Sequence, residues 1–349
     1  MHKNCFVGAG LSAYFSQLLY WQKGDVCLYP SASWSPYVVK RPNLEINKFF
    51  SSQSSSYGSN LFQLSHAELH DRGTLGGNSE IWGGFFDAAQ VERLDKLKDA
   101  GIQLVPLSFG VTGSASNISS LVQLQESSGK ILNASNHLRP GDNKYLDSIR
   151  CESGHITLNW SSADKLEPSQ VVIAGKVFVC TGVVQTIDLL MRSQLIKPGD
   201  ELTLDEFEYE LVIGRQPPSL DVRDACVITY TPGRAIAHLL GIQKGHRLTA
   251  LKPFEIHQIF RAQTQTLRMT AGSHVLSGAP EAIAGRKPRK FGQSIHYCNL
   301  KINGERLVDM AARLSTNLHF VSMASVVQSK PGPISSDIFA YLESIPNEL

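Results

Sequence analysis

Residues 4–13 read Asn4-Cys5-Phe6-Val7-Gly8-Ala9-Gly10-Leu11-Ser12-Ala13, an apolar run, then a G-x-G-x-x-A pattern, then helical spacing through Trp21. The order strand, tight glycine turn, helix suits a diphosphate cradle. Gly8 permits the turn, Gly10 lets the backbone approach the phosphates, and Ala13 lets the helix pack close to the strand. Leu11 and Ser12 open the helix, where free N–H groups and a partial positive charge collect. A second apolar run, 25–29, completes a β-α-β start. In nucleotide-binding folds the end of that second strand carries Asp or Glu for the ribose hydroxyls. Here it reads Val26-Cys27-Leu28-Tyr29-Pro30-Ser31. No acid is present, and a hydroxyl of Ser31 or Ser33 is the available substitute.

Three later segments fit the same reading. Ser51–Ser59 is a serine-rich loop, after which Gly73-Thr74-Leu75-Gly76-Gly77-Asn78-Ser79-Glu80-Ile81-Trp82-Gly83-Gly84 packs five glycines among apolar residues, as a backbone running against a flat ligand would. The alternative for this segment is a glycine-rich turn packed on another strand. Residues 171–182 read as a buried strand ending in Thr181-Gly182, followed by a helix over 186–193. From about residue 201 to 289 the pattern turns to alternating segments, 202–211, 225–230, 247–252 and 263–271, which predict a mostly antiparallel sheet with charged outer faces. A helix is expected at 91–100, strands at 101–107, 120–124 and 155–160, and a closing strand–strand–helix ending in 334–345.

Bulk composition narrows the function classes. The chain has 349 residues, 42% of them hydrophobic, and a net charge of +2. That is enough for a full core and two lobes. It lacks the basic excess of a nucleic-acid binder, and the one basic cluster, Arg286-Lys287-Pro288-Arg289-Lys290, is short. Cys5, Cys27, Cys151, Cys180, Cys226 and Cys298 form no C-x-x-C pair. Cys5, Cys27 and Cys180 fall in predicted buried strands and read as core thiols, which suits a reducing compartment. No window is apolar over the roughly 18 residues a membrane helix needs, and no secretory leader is evident. A cytoplasmic protein with a small-molecule substrate is expected, with no nucleic-acid or membrane partner. The sequence leaves oligomeric state open.

Together these segments resemble a shortened glucose–methanol–choline (GMC) type flavin oxidoreductase. The resemblance rests on the cradle at Gly8, Gly10 and Ala13, on Gly76-Gly77-Asn78-Ser79 with Trp82, and on Thr181-Gly182 with the following Leu-Leu-x-x-Ser helix. It rests also on the C-terminal order Ser294-Ile295-His296-Tyr297, Val308-Asp309, Arg313 and Asn317–Val321. It implies an α/β fold: a Rossmann-like FAD-binding domain with a mixed or parallel sheet, plus a smaller, mostly antiparallel α+β substrate lobe. The FAD-binding domain would comprise 1–100, 165–200 and 291–349, with 101–164 a connecting β segment and 201–290 the substrate lobe. It implies FAD contacts from Gly8, Gly10, Leu11, Ser12, Ala13, Ser31, Gly76, Gly77, Asn78, Ser79, Trp82, Thr181, Gly182 and Asp309. The chain departs from the family pattern at Gln194, at Ser322-Met323-Ala324-Ser325, and near Gly332-Pro333, where a second catalytic His or Asn is absent.

Hydride transfer from an alcohol to flavin needs a base near neutral pKa. Histidine suits that role, and His296 has the expected position, with Tyr297 and Asn299 to orient substrate. A hydrogen-bonded histidine with no proton-transfer role is the alternative. Other constellations are weaker. Tyr297-x-x-x-Lys301 lies far from the cradle, no G-x-S-x-G elbow or P-loop occurs, and His66 with His70 supplies only two ligands, so no metal site is expected. Two further readings stay open: a flavin-fold cyclase, isomerase or binding protein, and an NAD(P)-dependent dehydrogenase using the N-terminal cradle alone.

Overall fold

The computed structural model describes residues 3–29, 84–107, 109–113, 118, 120–152, 154–162, 168–173, 175–214, 225–230, 255–261, 265–271, 276–277, 293–326 and 333–346. The chain opens with β1 (Cys5–Val7), α1 (Leu11–Tyr20) and β2 (Val26–Tyr29), as the glycine pattern predicts. β3 (Phe85–Asp87), α2 (Leu94–Asp99), β4 (Gln103–Pro106), β5 (Phe109–Gly113) and β6 (Leu121–Gln125) follow. Next come β7 (Asp142–Glu152), β8 (His155–Ser162), β9 (Pro168–Ile173), β10 (Val177–Val179) and α3 (Val183–Arg192). The third region holds β11 (Glu201–Gly214), β12 (Ala225–Tyr230), β13 (Glu255–Arg261), β14 (Gln265–Ala271), β15 (Leu276–Ser277) and β16 (Gln293–Ile302). β17 (Glu305–Arg306), α4 (Leu307–Leu314), β18 (Leu318–Phe320) and α5 (Ile334–Ser344) close it.

The described strands form a parallel sheet in the order β18-β10-β1-β2-β7, extended by β8 and β9 as an antiparallel meander. β1 is central: Cys5, Phe6 and Val7 lie between Val26–Leu28 on one side and Val177–Val179 on the other. A second, antiparallel sheet runs β15-β14-β11-β13-β12-β5 with β16 along the other edge of β11, and β3, β6 and β4 make a third. The fold is therefore α/β, a parallel sheet joined to antiparallel ones. β7 and β8, within the stretch expected to connect two lobes, extend the parallel sheet through Leu28 and Asp142.

Alternation along the central strands separates two cores. Cys5, Val7, Val177 and Val179 face the layer of α3 and α4. Phe6, Phe178 and Cys27 face α1 and α5. α1 is buried on almost every side because it lies between the sheet and α5. At the amino edge of the sheet Asn4 acts as a clamp. Its amide donates to Asp25 Oδ2 (3.0 Å) and its Oδ1 accepts from the Lys176 N–H (2.9 Å), so one side chain ties β1 to both neighbours. Asp25 also accepts the Asn4 backbone N–H (3.0 Å).

Two expectations are corrected. The run 171–182 is not one strand. It ends β9 at Ile173 and restarts as β10 at Val177, because the chain turns past Gly175, where a Cβ would overlap the Lys3 carbonyl oxygen. The charged positions of β11 are not all outward: Glu206 is fully buried. The core-thiol expectation holds for Cys5, Cys27 and Cys180, all buried and free. Among the described residues no helix is long and apolar enough to cross a membrane, and no cluster of His, Cys, Asp and Glu could hold a metal.

Candidate functional site

The parallel sheet has a topological switch point. From β1 the chain passes through α1 to β2 on one side. From β10 it leaves through α3 and the antiparallel sheet, returning through α4 as β18 on the other side. The carboxyl ends of β1 and β10 therefore diverge, and a crevice at such a point is where open α/β sheets take their ligands. The glycine turn after β1 and Thr181-Gly182 after β10 both stand there.

Gly8 has φ +111°, which L side chains rarely adopt. A Cβ on it would come 2.6 Å from the Cys180 carbonyl oxygen and 3.3 Å from the Thr181 nitrogen. The strand register makes this approach obligatory, since the Cys180 N–H donates to the Val7 carbonyl (2.7 Å) and the Gly8 N–H to the Leu28 carbonyl (2.9 Å). Two segments about 170 residues apart in sequence thus meet at Gly8. Gly10 is the N-cap of α1, with no side-chain cap and no acid in the first turn. Tyr14 N–H is the first to find an intrahelical acceptor, the Gly10 carbonyl at 3.1 Å. The N–H groups of Leu11, Ser12 and Ala13 precede it and have no such acceptor. An uncapped first turn without negative charge is suited to an anion.

The second wall of the crevice is hydrogen-bonded into shape. Gly182 N–H donates to Gln185 Oε1 (2.8 Å), and the Thr181 and Thr186 hydroxyls lie 3.0 Å apart. Below them, Ser16 Oγ is 3.4 Å from Cys180 Sγ. Burial pushes the Cys180 thiol up to about 12, against a smaller downward pull from the Ser16 hydrogen bond, so this cysteine stays protonated and is no nucleophile.

The other sequence-predicted residues lie apart. Ser31, Gly76, Gly77, Asn78, Ser79 and Trp82 fall outside the described residues. Asp309 stands in the first turn of α4, exposed, with both carboxylate oxygens accepting from Arg306 (2.6 and 2.8 Å). That hydrogen-bonded guanidinium holds its carboxyl below the usual range. His296, Tyr297 and Asn299 share β16. The backbone of His296 pairs with Phe207, and Tyr297 pairs with Glu206 and is buried. Asn299 forms a bulge at φ +52° where the pairing with β11 skips a residue, and its amide donates to Asp205 Oδ2 (2.6 Å). β16 runs against the 3-10 turn Met323–Ser325 that follows β18, and α3 packs on both. The antiparallel sheet is thereby held beside the carboxyl ends of the parallel strands. Sequence reading missed the burial of Glu206, although Leu202 and Leu204 at alternate positions point to the inward side of the same strand.

No family model and no curated protein matches this chain. Three solved structures similar to it are a flavoprotein/dehydrogenase from Cytophaga hutchinsonii, AlpK, and OxyS anhydrotetracycline hydroxylase from Streptomyces rimosus. Their identities are 10%, 11% and 9%, with TM-scores of 0.38, 0.40 and 0.38. Each match covers 98% of this chain, and 75%, 60% and 60% of the respective partner. At such identities and TM-scores the likeness carries no argument about what this chain does.

Proposed function

We propose that this chain binds FAD and is a flavin-dependent oxidoreductase of the GMC type, acting on an alcohol of a small polar metabolite. The observation that carries the reading is Gly8, held at positive φ under the Cys180 carbonyl beside the open first turn of α1, at the switch point of a parallel sheet. A turn so confined leaves room for backbone but not for a side chain, which fits a diphosphate lying against it. Leu11, Ser12 and Ala13 N–H groups would hold the phosphates, and Thr181 and Gly182 would border them.

FAD, when bound, supplies a two-electron acceptor. The chain itself has to orient the alcohol, exclude water and take the hydroxyl proton. In this reading β16 does the first two, through buried Tyr297 and the Asn299 bulge fixed by Asp205. His296 takes the proton at an imidazole nitrogen. The absence of a second base near Gly332-Pro333 supports a second reading, a scaffold that holds FAD with little redox turnover.

Purified protein should be yellow, with absorbance near ~450 nm from oxidised flavin, and anaerobic addition of a substrate alcohol should bleach it. His296→Ala should abolish bleaching without releasing the flavin. Yellow protein that no alcohol bleaches selects the second reading. A preparation that stays colourless after incubation with excess FAD removes both.

A further inference from the structure

β2 ends without the acid that a dinucleotide's ribose needs. Its last residue, Tyr29, turns inward instead: its hydroxyl accepts from Gln17 Nε2 (3.0 Å) and donates to the Arg139 carbonyl. Gln17 Oε1 in turn accepts the Arg139 N–H (2.9 Å), so the chain before β7 is fastened to α1 and to the end of β2. Gly141 is pressed onto β2, where a Cβ would lie 2.6 Å from Tyr29 Cε2 and 2.9 Å from the Cys27 carbonyl oxygen. The first side chain of β7 is then Asp142, opposite Leu28 in parallel register. Leu28 is itself opposite Val7. Val7, Leu28 and Asp142 therefore form one row across three strands, at the carboxyl ends of β1 and β2. With strands about 4.8 Å apart, that row puts the Asp142 backbone about 10 Å from the Gly8 turn. One sugar beyond the diphosphate lies within reach of a carboxylate so placed.

Residues 139–142 are exposed, and the Asp142 side chain is 54% exposed. Lys144 Nζ lies 3.3 Å from its Oδ2. A surface pair of this kind contributes little, and Lys144 is also held over the Trp160 ring (4.2 Å). Among the described residues Oδ1 has no hydrogen-bond partner. The carboxylate is thus accessible and uncommitted, on the strand next to the one where nucleotide-binding folds carry their acid.

We propose that Asp142 supplies the ribose carboxylate that β2 lacks, accepting hydrogen bonds from the ribose hydroxyls at the adenosine end of FAD. An ion-paired carboxylate only accepts, and it repels a 2′-phosphate, so the ribose it takes is unphosphorylated. The proposal rests on the FAD reading, and its test separates the two.

The flavin-free full-length chain is titrated calorimetrically with ADP and with 2′,3′-dideoxy-ADP. The parent should prefer ADP roughly tenfold, the worth of a hydrogen bond to a charged acceptor. Asp142→Ala should bind the two nucleotides alike. The comparison is a ratio, so repulsion between the carboxylate and the phosphates, common to both ligands, cancels. Lys144→Ala, which removes the ion pair and leaves the carboxylate, should keep the preference. An Asp142→Ala protein that still prefers ADP tenfold would overturn the assignment, and so would a parent that binds both nucleotides equally or a Lys144→Ala protein that loses the preference. A parent that binds neither ADP nor FAD would instead overturn the reading beneath it.

Discussion

The carbonyl oxygen of Cys180 lies 2.6 Å from the place a Cβ would occupy on Gly8. The obstacle is backbone at the end of the central β10 and cannot swing aside, and φ of +111° adds strain for any L side chain. Gly8→Ala should therefore destabilise the fold by about 3 kcal/mol and lower FAD retention at least tenfold. Urea unfolding and flavin content per folded molecule check the two effects. A variant with parent stability and full flavin would contradict the close approach.

Asn4→Ala separates stability from binding. It removes the amide bonded to Asp25 and the oxygen bonded to Lys176, at the edge of the sheet opposite the cradle. The half-buried Asp25 carboxylate and Lys176 N–H left behind make a loss of about 2 kcal/mol the expected outcome. FAD affinity of the folded fraction should stay at the parent value.

Two half-buried groups titrate in opposite senses. Burial, then the neighbouring Asp87, pushes Asp337 up to about 7. Burial, then Lys176, pushes His319 down to about 4. A carboxyl with a raised pKa gives stability that is full below about 3.8 and is lost as pH rises towards about 7. An imidazole with a lowered pKa gives stability that is full above about 6.5 and is lost as pH falls towards about 4. The slopes oppose, so stability of the parent should be nearly flat through that window as far as this pair is concerned. Asp337→Asn should expose a rise in stability with pH, and His319→Phe, which preserves the stack on Phe178, a fall. Melting temperature against pH for the three proteins decides it, and parallel curves would refute the opposed titration.

Tyr14 carries a buried hydroxyl that finds no partner, with its ring 5.4 Å from that of His137. Leaving such a group unsatisfied costs about 1–3 kcal/mol. Tyr14→Phe should stabilise the protein by up to about 1 kcal/mol, read as a higher midpoint in urea at unchanged slope.

The legible parts of the fold were those with an unbroken period. β1, α1 and β2 stand where the apolar runs and the glycine spacing put them, within a residue or two. β7 was not legible. Its register shifts between Leu146 and Ser148, so its buried Leu146 and Ile149 are three apart and the period of two is lost. The run 171–182 hid a chain turn because β9 and β10 are both apolar, and only Gly175 marks the break. The turn at Gly8 was readable because its positive φ and close approach are backbone requirements, while residues 76–82 lie outside the described residues. The burial of Glu206 was not legible, since a glutamate among Asp205, Glu208 and Glu210 reads as a solvated face until its place in the sheet is known.

The central position of β1 has a consequence for how the protein is made. Its first neighbour, β2, emerges at once, but its other neighbour begins at Val177, about 170 residues later, and β18 lies near the end of the chain. At about 5–20 residues per second, the nascent polypeptide holds a bare, apolar strand edge for roughly 10–30 s. Vectorial synthesis thus leaves this stretch open to sticking until its second neighbour has been made.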